Sequence, residues 1–357
     1  EGNAPGAPAA RPHPQEAATN RREVFRLGAT SMALGLSESI RRGPDLLEQA
    51  LDNGNAGAGR LVFLENEADR LGAAVVKVPP AGLVPETLLH LTSVRELLTC
   101  RQSLGAQRRL TMVASRLSVV MGEIMFNTNN FPLARRWYTT AVRAADEAGD
   151  RYTADIALAS SAYLPTYAGD PRAVLAIVMP RLEAAVGATP ALAWMWGFAA
   201  LAHATLGDRA AFERANDRSR IMLDRCKRET LYPGIFSYLP EKQAFYEARG
   251  WADLGHVDMA GGAAARALAA FDPTLTTNRA LVRFSHASAL AKSGQVEEAC
   301  SVATAAIRDP HTYQSISVVL RAHEFDGLLG TTGMATAEWR EALAGIRAPD
   351  PVTLFSS

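Results

Sequence analysis

The chain has 357 residues, 48% of them hydrophobic, and its 37 basic residues balance 37 acidic ones. That balance excludes a general electrostatic pull toward nucleic acid or an anionic membrane, and no run of 18 apolar residues predicts a membrane span. Cys100, Cys226 and Cys300 are far apart with no CxxC pair, which excludes a disulfide framework and fits a reducing cytoplasm.

Residues 1–20 are rich in Gly, Ala and Pro without apolar periodicity and read as a disordered linker. Arg21-Arg22 then precede a mildly apolar run. The run is too short for an export signal, lacks an A-x-A cleavage site, and is followed by Glu38, Arg41 and Arg42. An amphipathic helix or arm over 23–40 is predicted instead, so 1–43 is taken as a partly disordered arm. A short helix is expected at 44–51. The glycines of 52–59 form a flexible break rather than a phosphate loop, since no strand precedes them and no Lys-Ser or Lys-Thr pair follows. A helix at 60–71, an extended piece at 72–78, a stop at Pro79-Pro80 and a helix at 85–105 complete an N-terminal cap over 44–112. The last helix puts Leu88, Leu91, Val94, Leu97 and Leu98 on one face.

Residues 115–146 read as two antiparallel helices closed by a turn at Asn129-Asn130, with Gly122 at their crossing and Ala134, Tyr138 and Ala141 on the inner face of the second helix. The pattern returns four times. Gly169, Gly207, Gly255 and Gly294 each follow a small residue by seven positions: Ala162, Ala200, Ala248 and Ala287. Helices cross closely only where side chains are small, and a helix that ends in a positive-φ residue favours Gly or Asn there. Five residues past the turn stand Ala134, Ala260 and Ala299, while copies two and three shift by one to Ala173 and Ala211. Ala264 and Ala267, then Ala303 and Ala306, continue one helical face.

The predicted pairs are 153–168 with 170–186, 190–206 with 208–225, 238–254 with 256–270, and 277–293 with 295–308. An insertion at 227–237, marked by Pro233-Gly234, separates the third copy of the pattern from the fourth, counting 115–146 as the first, and is a candidate binding edge. Helices at 312–329 and 336–347 follow. The fold class is all-α. Turn-to-turn intervals of 40, 38, 48 and 39 residues exceed the ideal of about 34, yet the small residue, turn and alanine row resemble tetratricopeptide repeats. That resemblance implies about five degenerate repeats over 113–330, wound as a right-handed superhelix, with a C-terminal capping helix and tail over 331–357.

No motif asks for catalysis. The seven histidines form no metal-spaced pair, no GxSxG elbow follows a strand, and Glu297-Glu298 sit at a helix start where the dipole accounts for them. No catalytic residue, metal or cofactor is therefore assigned. Stacked helix pairs instead offer a concave groove lined by their first helices. Counting from each turn, its candidates are Arg116, Glu123 and Asn127; Tyr163 and Tyr167; Trp194; Lys242, Phe245 and Arg249; and Phe284 and Ser288. Aromatic and charged groups in such a mixture suit a peptide or small-molecule ligand.

Arg21-Arg22, Phe25, Leu71-Gly72 and Val78-Pro79-Pro80, followed by the repeats, resemble the C-terminal region of actinobacterial helix-turn-helix transcriptional regulators of the Xre class. The resemblance spans residues 21 to about 347. It implies a cytoplasmic, dimeric regulator whose repeat domain senses a ligand and acts on DNA only through a helix-turn-helix domain, which does not precede Arg21 here. The alternatives are a scaffold for a partner protein, and a repeat-containing accessory factor or enzyme of a biosynthetic pathway.

Overall fold

The computed structural model describes residues 57–309, 315–330 and 333–349. The expected arm over 23–40 and helix at 44–51 lie outside these residues. Among the described residues the chain is all-helical, without strands, and is built from packed adjacent helix pairs. In chain order the helices are α1 (Ala58–Ala74), α2 (Val84–Thr99), α3 (Leu104–Asn127), α4 (Phe131–Ala148), α5 (Arg151–Ser161), α6 (Tyr163–Tyr167), α7 (Pro171–Glu183), α8 (Pro190–Thr205), α9 (Arg209–Asp224), α10 (Pro240–Asp253), α11 (Val257–Ala270), α12 (Thr276–Lys292), α13 (Val296–Arg308), α14 (Ile316–Asp326) and α15 (Met334–Ala344).

All five expected turn residues adopt positive φ: Asn129 at 64°, Gly169 at 70°, Gly207 at 76°, Gly255 at 79° and Gly294 at 86°. The next residue in each case returns its N–H to the carbonyl five positions back, as Asn130 does to Met125 and Gln295 does to Leu290. This satisfies a carbonyl that the helix end would otherwise leave bare. Asn130, Asp170 and Asp208 then cap the second helix by accepting from the N–H three residues on. One short stretch thus ends one helix, reverses the chain and starts the next.

The crossings are as tight as the small residues suggest. A Cβ on Gly122 would lie 2.5 Å from the Tyr138 ring, and Ala162, Ala200, Ala248 and Ala287 are buried. Three local expectations need correction. In copies two and three the position five past the turn is kept by buried Val174 and Phe212; Ala173 before the first is only partly buried, while Ala211 before the second is buried beside Phe212. Gly250 makes room for Phe212, since a Cβ there would lie 2.2 Å from the ring. The helix expected over 153–168 is divided at Ala162, because Pro165 has no N–H to give the Ser161 carbonyl. Residues 72–78 are not extended; α1 runs on to Ala74, and Val75, Lys77 and Val78 all donate back into its last turn.

The first helices of successive pairs, α3, α5–α6, α8, α10, α12 and α14, pack side by side, and α14 also touches α3. The row therefore bends round until its ends meet. The insertion at 227–237 is docked rather than free. Ile235 donates its N–H to the Gly72 carbonyl at 3.0 Å, the Phe236 ring fills the space above Gly72, and Tyr152 Oη donates to the Phe236 carbonyl at 2.6 Å. The N-terminal cap and the insertion so cover one side of the helical row.

Candidate functional site

Inside that row lies a cavity of about 70 Å³, joined to a recess of about 40 Å³ that shares Val76, Glu123, Tyr163, Tyr167, Asn278 and Leu281. Its wall is built one helix at a time. Helix α3 brings Glu123 and Asn127, α6 Tyr163 and Tyr167, α8 Trp194, Phe198 and Leu201, and α10 Lys242, Phe245, Tyr246 and Arg249. Asn278 and Leu281 of α12, Arg321 of α14, Phe271 behind α11, Ile235 of the insertion and Val76 behind α1 close it. The groove expected from sequence is here a narrow, partly open chamber.

Aromatic rings form its continuous lining. Tyr163 stacks on Phe126 at 5.4 Å between centroids and meets Phe198 edge-on at 5.3 Å, and Phe198 lies 5.3 Å from Tyr246. Trp194 donates its indole N–H to Tyr246 Oη at 2.8 Å. Burial raises the pKa of both Tyr163 and Tyr246, so both phenols stay neutral.

Four ionisable groups face this lining. Arg249 pairs with Asp253 at 3.1 Å and Glu324 at 2.5 Å, and Arg321 pairs with the same Glu324 while lying 4.5 Å over the Tyr167 ring. Burial raises the Glu324 pKa, but the two arginines together outweigh it and bring it below the ordinary range. Glu123 accepts from Asn127 Nδ2 at 2.9 Å and from Tyr138 Oη at 3.2 Å. Burial nevertheless keeps its pKa raised, against the pull of Lys242 and of those two hydrogen bonds. Lys242 is the exception. Its Nζ lies 3.6 Å from the Trp194 ring centroid and 5.6 Å from that of Tyr163. Burial lowers its pKa to about 7, although Glu123 and Glu241 favour the charged form.

Of the residues expected to line the groove, Glu123, Asn127, Tyr163, Tyr167, Trp194, Lys242, Phe245 and Arg249 are brought together here. Arg116, Phe284 and Ser288 are not among them. Arg116 points toward the cap, ion-paired with Asp69 and 5.3 Å over the Phe236 ring. Phe284 is core, between Phe325 and Trp339, because the sixth pair packs on the face that Phe245 leaves open two helices earlier. Ser288 is partly buried beyond the chamber. Leu201 and Leu281 were within reach of the spacing argument: they stand six and thirteen residues before their turns, as Arg249 and Lys242 do before Gly255. Ile235, Phe271 and Arg321 carried no such signal, since they come from outside the first helices of the five copies.

Two other places have chemical character. Glu67, Glu86 and His90 could each offer a ligand atom to a metal, within 4.8 Å of one another. Arg70 already pairs with both carboxylates, and His90 Nε2 lies 3.5 Å from Glu67. Burial pulls the His90 pKa down, yet Glu67 and Glu86 together raise it, so the cluster balances its own charge as ion pairs. An open depression of about 440 Å³ lies between α8 and α9, where Arg218 stacks 4.9 Å over Trp196. Half-buried Cys226 and buried Cys300 offer no ready nucleophile: burial pushes Cys226 up to about 11 and also raises Cys300. The chain matches no protein-family model, no curated protein and no solved structure.

Proposed function

We propose that this chain is the ligand-sensing region of a transcriptional regulator of the Xre class, cytoplasmic and homodimeric, acting on DNA through a domain outside the present sequence. Its helix pairs are read as degenerate tetratricopeptide-like repeats in a right-handed superhelix, and the chamber as the place where a small molecule binds. One observation carries this reading: a single chamber is walled by the first helices of all six pairs, from Glu123 on α3 to Arg321 on α14. A ligand there sits where the first helices of the pairs converge. It can therefore favour one curvature of the row over another, and a difference of a few kcal/mol between curvatures is enough to shift an assembly equilibrium. The chamber's size favours a small molecule over the side chains of a folded peptide.

Native mass spectrometry of the chain purified from its own host tests the proposal. A reproducible extra mass on a dimer, lost in Tyr163→Ala, is the expected result. A bare chain whose oligomeric state is the same after a denature-and-refold step that strips small molecules would oppose it. A second reading, a scaffold for a partner protein, is favoured by the open depression beside Trp196, where Ile221 is 46% exposed. Capture of one defined protein by the wild type and not by Ile221→Asp would support that reading.

A further inference from the structure

We propose that the chamber selects small carboxylates, the ligand's carboxylate pairing with the Lys242 ammonium while its apolar remainder packs against Trp194, Phe198 and Leu201. The inference rests on reading the chamber as a ligand site and adds the chemical class of the ligand. It follows from charge accounting. Arg249 and Arg321 are neutralised by Asp253 and Glu324, and Glu123 is held by two neutral donors, Asn127 and Tyr138. Lys242 alone has no oxygen within hydrogen-bonding or ion-pairing distance among the described residues; two ring faces lie against it, and Glu123 and Glu241 act on it only from beyond ion-pairing distance. Rings stabilise an ammonium, but they do not accept its three N–H bonds as oxygens do.

A second polar atom points the same way. Thr277 Oγ1 is buried without a hydrogen-bond partner, and Thr277 lines the recess that continues the chamber. Buried hydroxyls are normally satisfied, so an unpaired one beside a recess calls for a polar group or a water there. The combined space, about 70 Å³ and about 40 Å³, compares with about 30 Å³ per water molecule. It limits the part of the ligand inside the chamber to a few heavy atoms. A short-chain carboxylic acid meets the conditions at Lys242, one anion for the ammonium and a compact apolar body for the rings.

The charged and titratable groups facing Lys242 are Glu123 on α3, Tyr163 on α6, Arg321 on α14, and Glu241, Tyr246 and Arg249 on its own helix. Burial keeps the two tyrosines neutral and also raises the Glu123 pKa, so the part of a pH change near 7 that belongs to the Lys242 proton is the part that Lys242→Arg removes.

The test is isothermal titration of the full chain with butyrate, butyramide and butylamine, probes of one shape and three charges. At pH 6.5 butyrate should bind at least tenfold tighter than either other probe. Its affinity should fall about tenfold per pH unit above about 7, because only the protonated amine pairs with it. Lys242→Met should erase the preference, and Lys242→Arg should keep it and remove the pH dependence; unfolding midpoints of both variants establish that they are folded. Equal binding of butyramide, or tighter binding of butylamine, overturns the carboxylate assignment while leaving a ligand chamber in place. Heat from none of the three also overturns it, and a mass retained in native spectrometry would then show that the sensor reading survives alone.

Discussion

The first and second helices of each pair have the same turns and similar lengths, yet their buried faces are made of different matter. Three of the second helices bury alanine rows, Ala134, Ala141 and Ala145 on α4, Ala260, Ala264 and Ala267 on α11, and Ala299, Ala303 and Ala306 on α13, all essentially inaccessible, while α7 and α9 bury Val174, Val178 and Phe212. The first helices bury Phe126, Trp194, Phe198, Tyr246 and Phe284. Alanine brings backbones together and specifies a distance. Large rings fill the space that those distances leave, and where the fill is incomplete a chamber remains. The outer layer thus sets the geometry and the inner layer holds the chemistry.

If that division is right, truncating an inner ring should cost the most. Trp194→Ala removes a fully buried indole, the donor to Tyr246 Oη and the ring beneath Lys242. A loss of about 3–5 kcal/mol is expected from the cavity and transfer contributions, measured by urea denaturation. A loss below about 1 kcal/mol would mean that the rings are not structural and would break the contrast.

Filling a crossing is the corresponding test of the distance-setting residues. An alanine at Gly250 would place its Cβ 2.2 Å from Phe212 Cε2. Phe212 is itself fully buried and meets Trp251 edge-on at 4.8 Å, so it has little room to retreat. Gly250→Ala should destabilise by about 1–3 kcal/mol, the usual cost of overpacking, and Phe212→Leu in the same chain should recover part of it. A neutral or stabilising Gly250→Ala would show that the crossing is loose and that the small residues there are incidental.

The same division explains what was legible in the sequence. A crossing and a turn are local demands that recur at fixed spacing, so Gly122, Ala162 and the five positive-φ residues could be placed by counting. Even the apparent slip at Ala173 and Ala211 came from expecting an alanine where any residue with a compensating neighbour will do; Phe212 is paired with Gly250, 38 positions on. The chamber obeys no such local rule. Glu123, Tyr163, Trp194 and Lys242 were found because they share a phase relative to their turns. Arg321, Phe271 and Ile235 reach the same space only because the row of helices closes and the insertion docks against Gly72. Phe284 has the same phase as Phe245, ten residues before its turn, and is nonetheless core, because α14 and α15 cover that face in the last copies. Phase identifies which side of a helix is inward; it cannot tell a wall from a core until the neighbours are known.

A third substitution isolates the chemistry of the inner layer from its packing. Lys242→Met keeps an unbranched side chain against Trp194 and removes the ammonium. In the unfolded chain the lysine holds its proton up to its ordinary value of 10.5, whereas in the folded chain it loses it at about 7. Between those values the unfolded state binds more protons, so wild-type stability relative to the variant rises with pH. Below about 7 both states are charged, and the wild type carries the full burden of an ammonium without an oxygen partner. The variant should therefore be the more stable at pH 6, with the wild type gaining on it by about 1.4 kcal/mol per pH unit between 7 and 9.5, in urea midpoints taken at pH 6, 8 and 9.5. A gap independent of pH would mean that Lys242 acts through packing alone. A gap that closes at pH 6 when butyrate is added to the wild type would mean that the anion binds the folded chain and supplies the oxygen partner that Lys242 lacks.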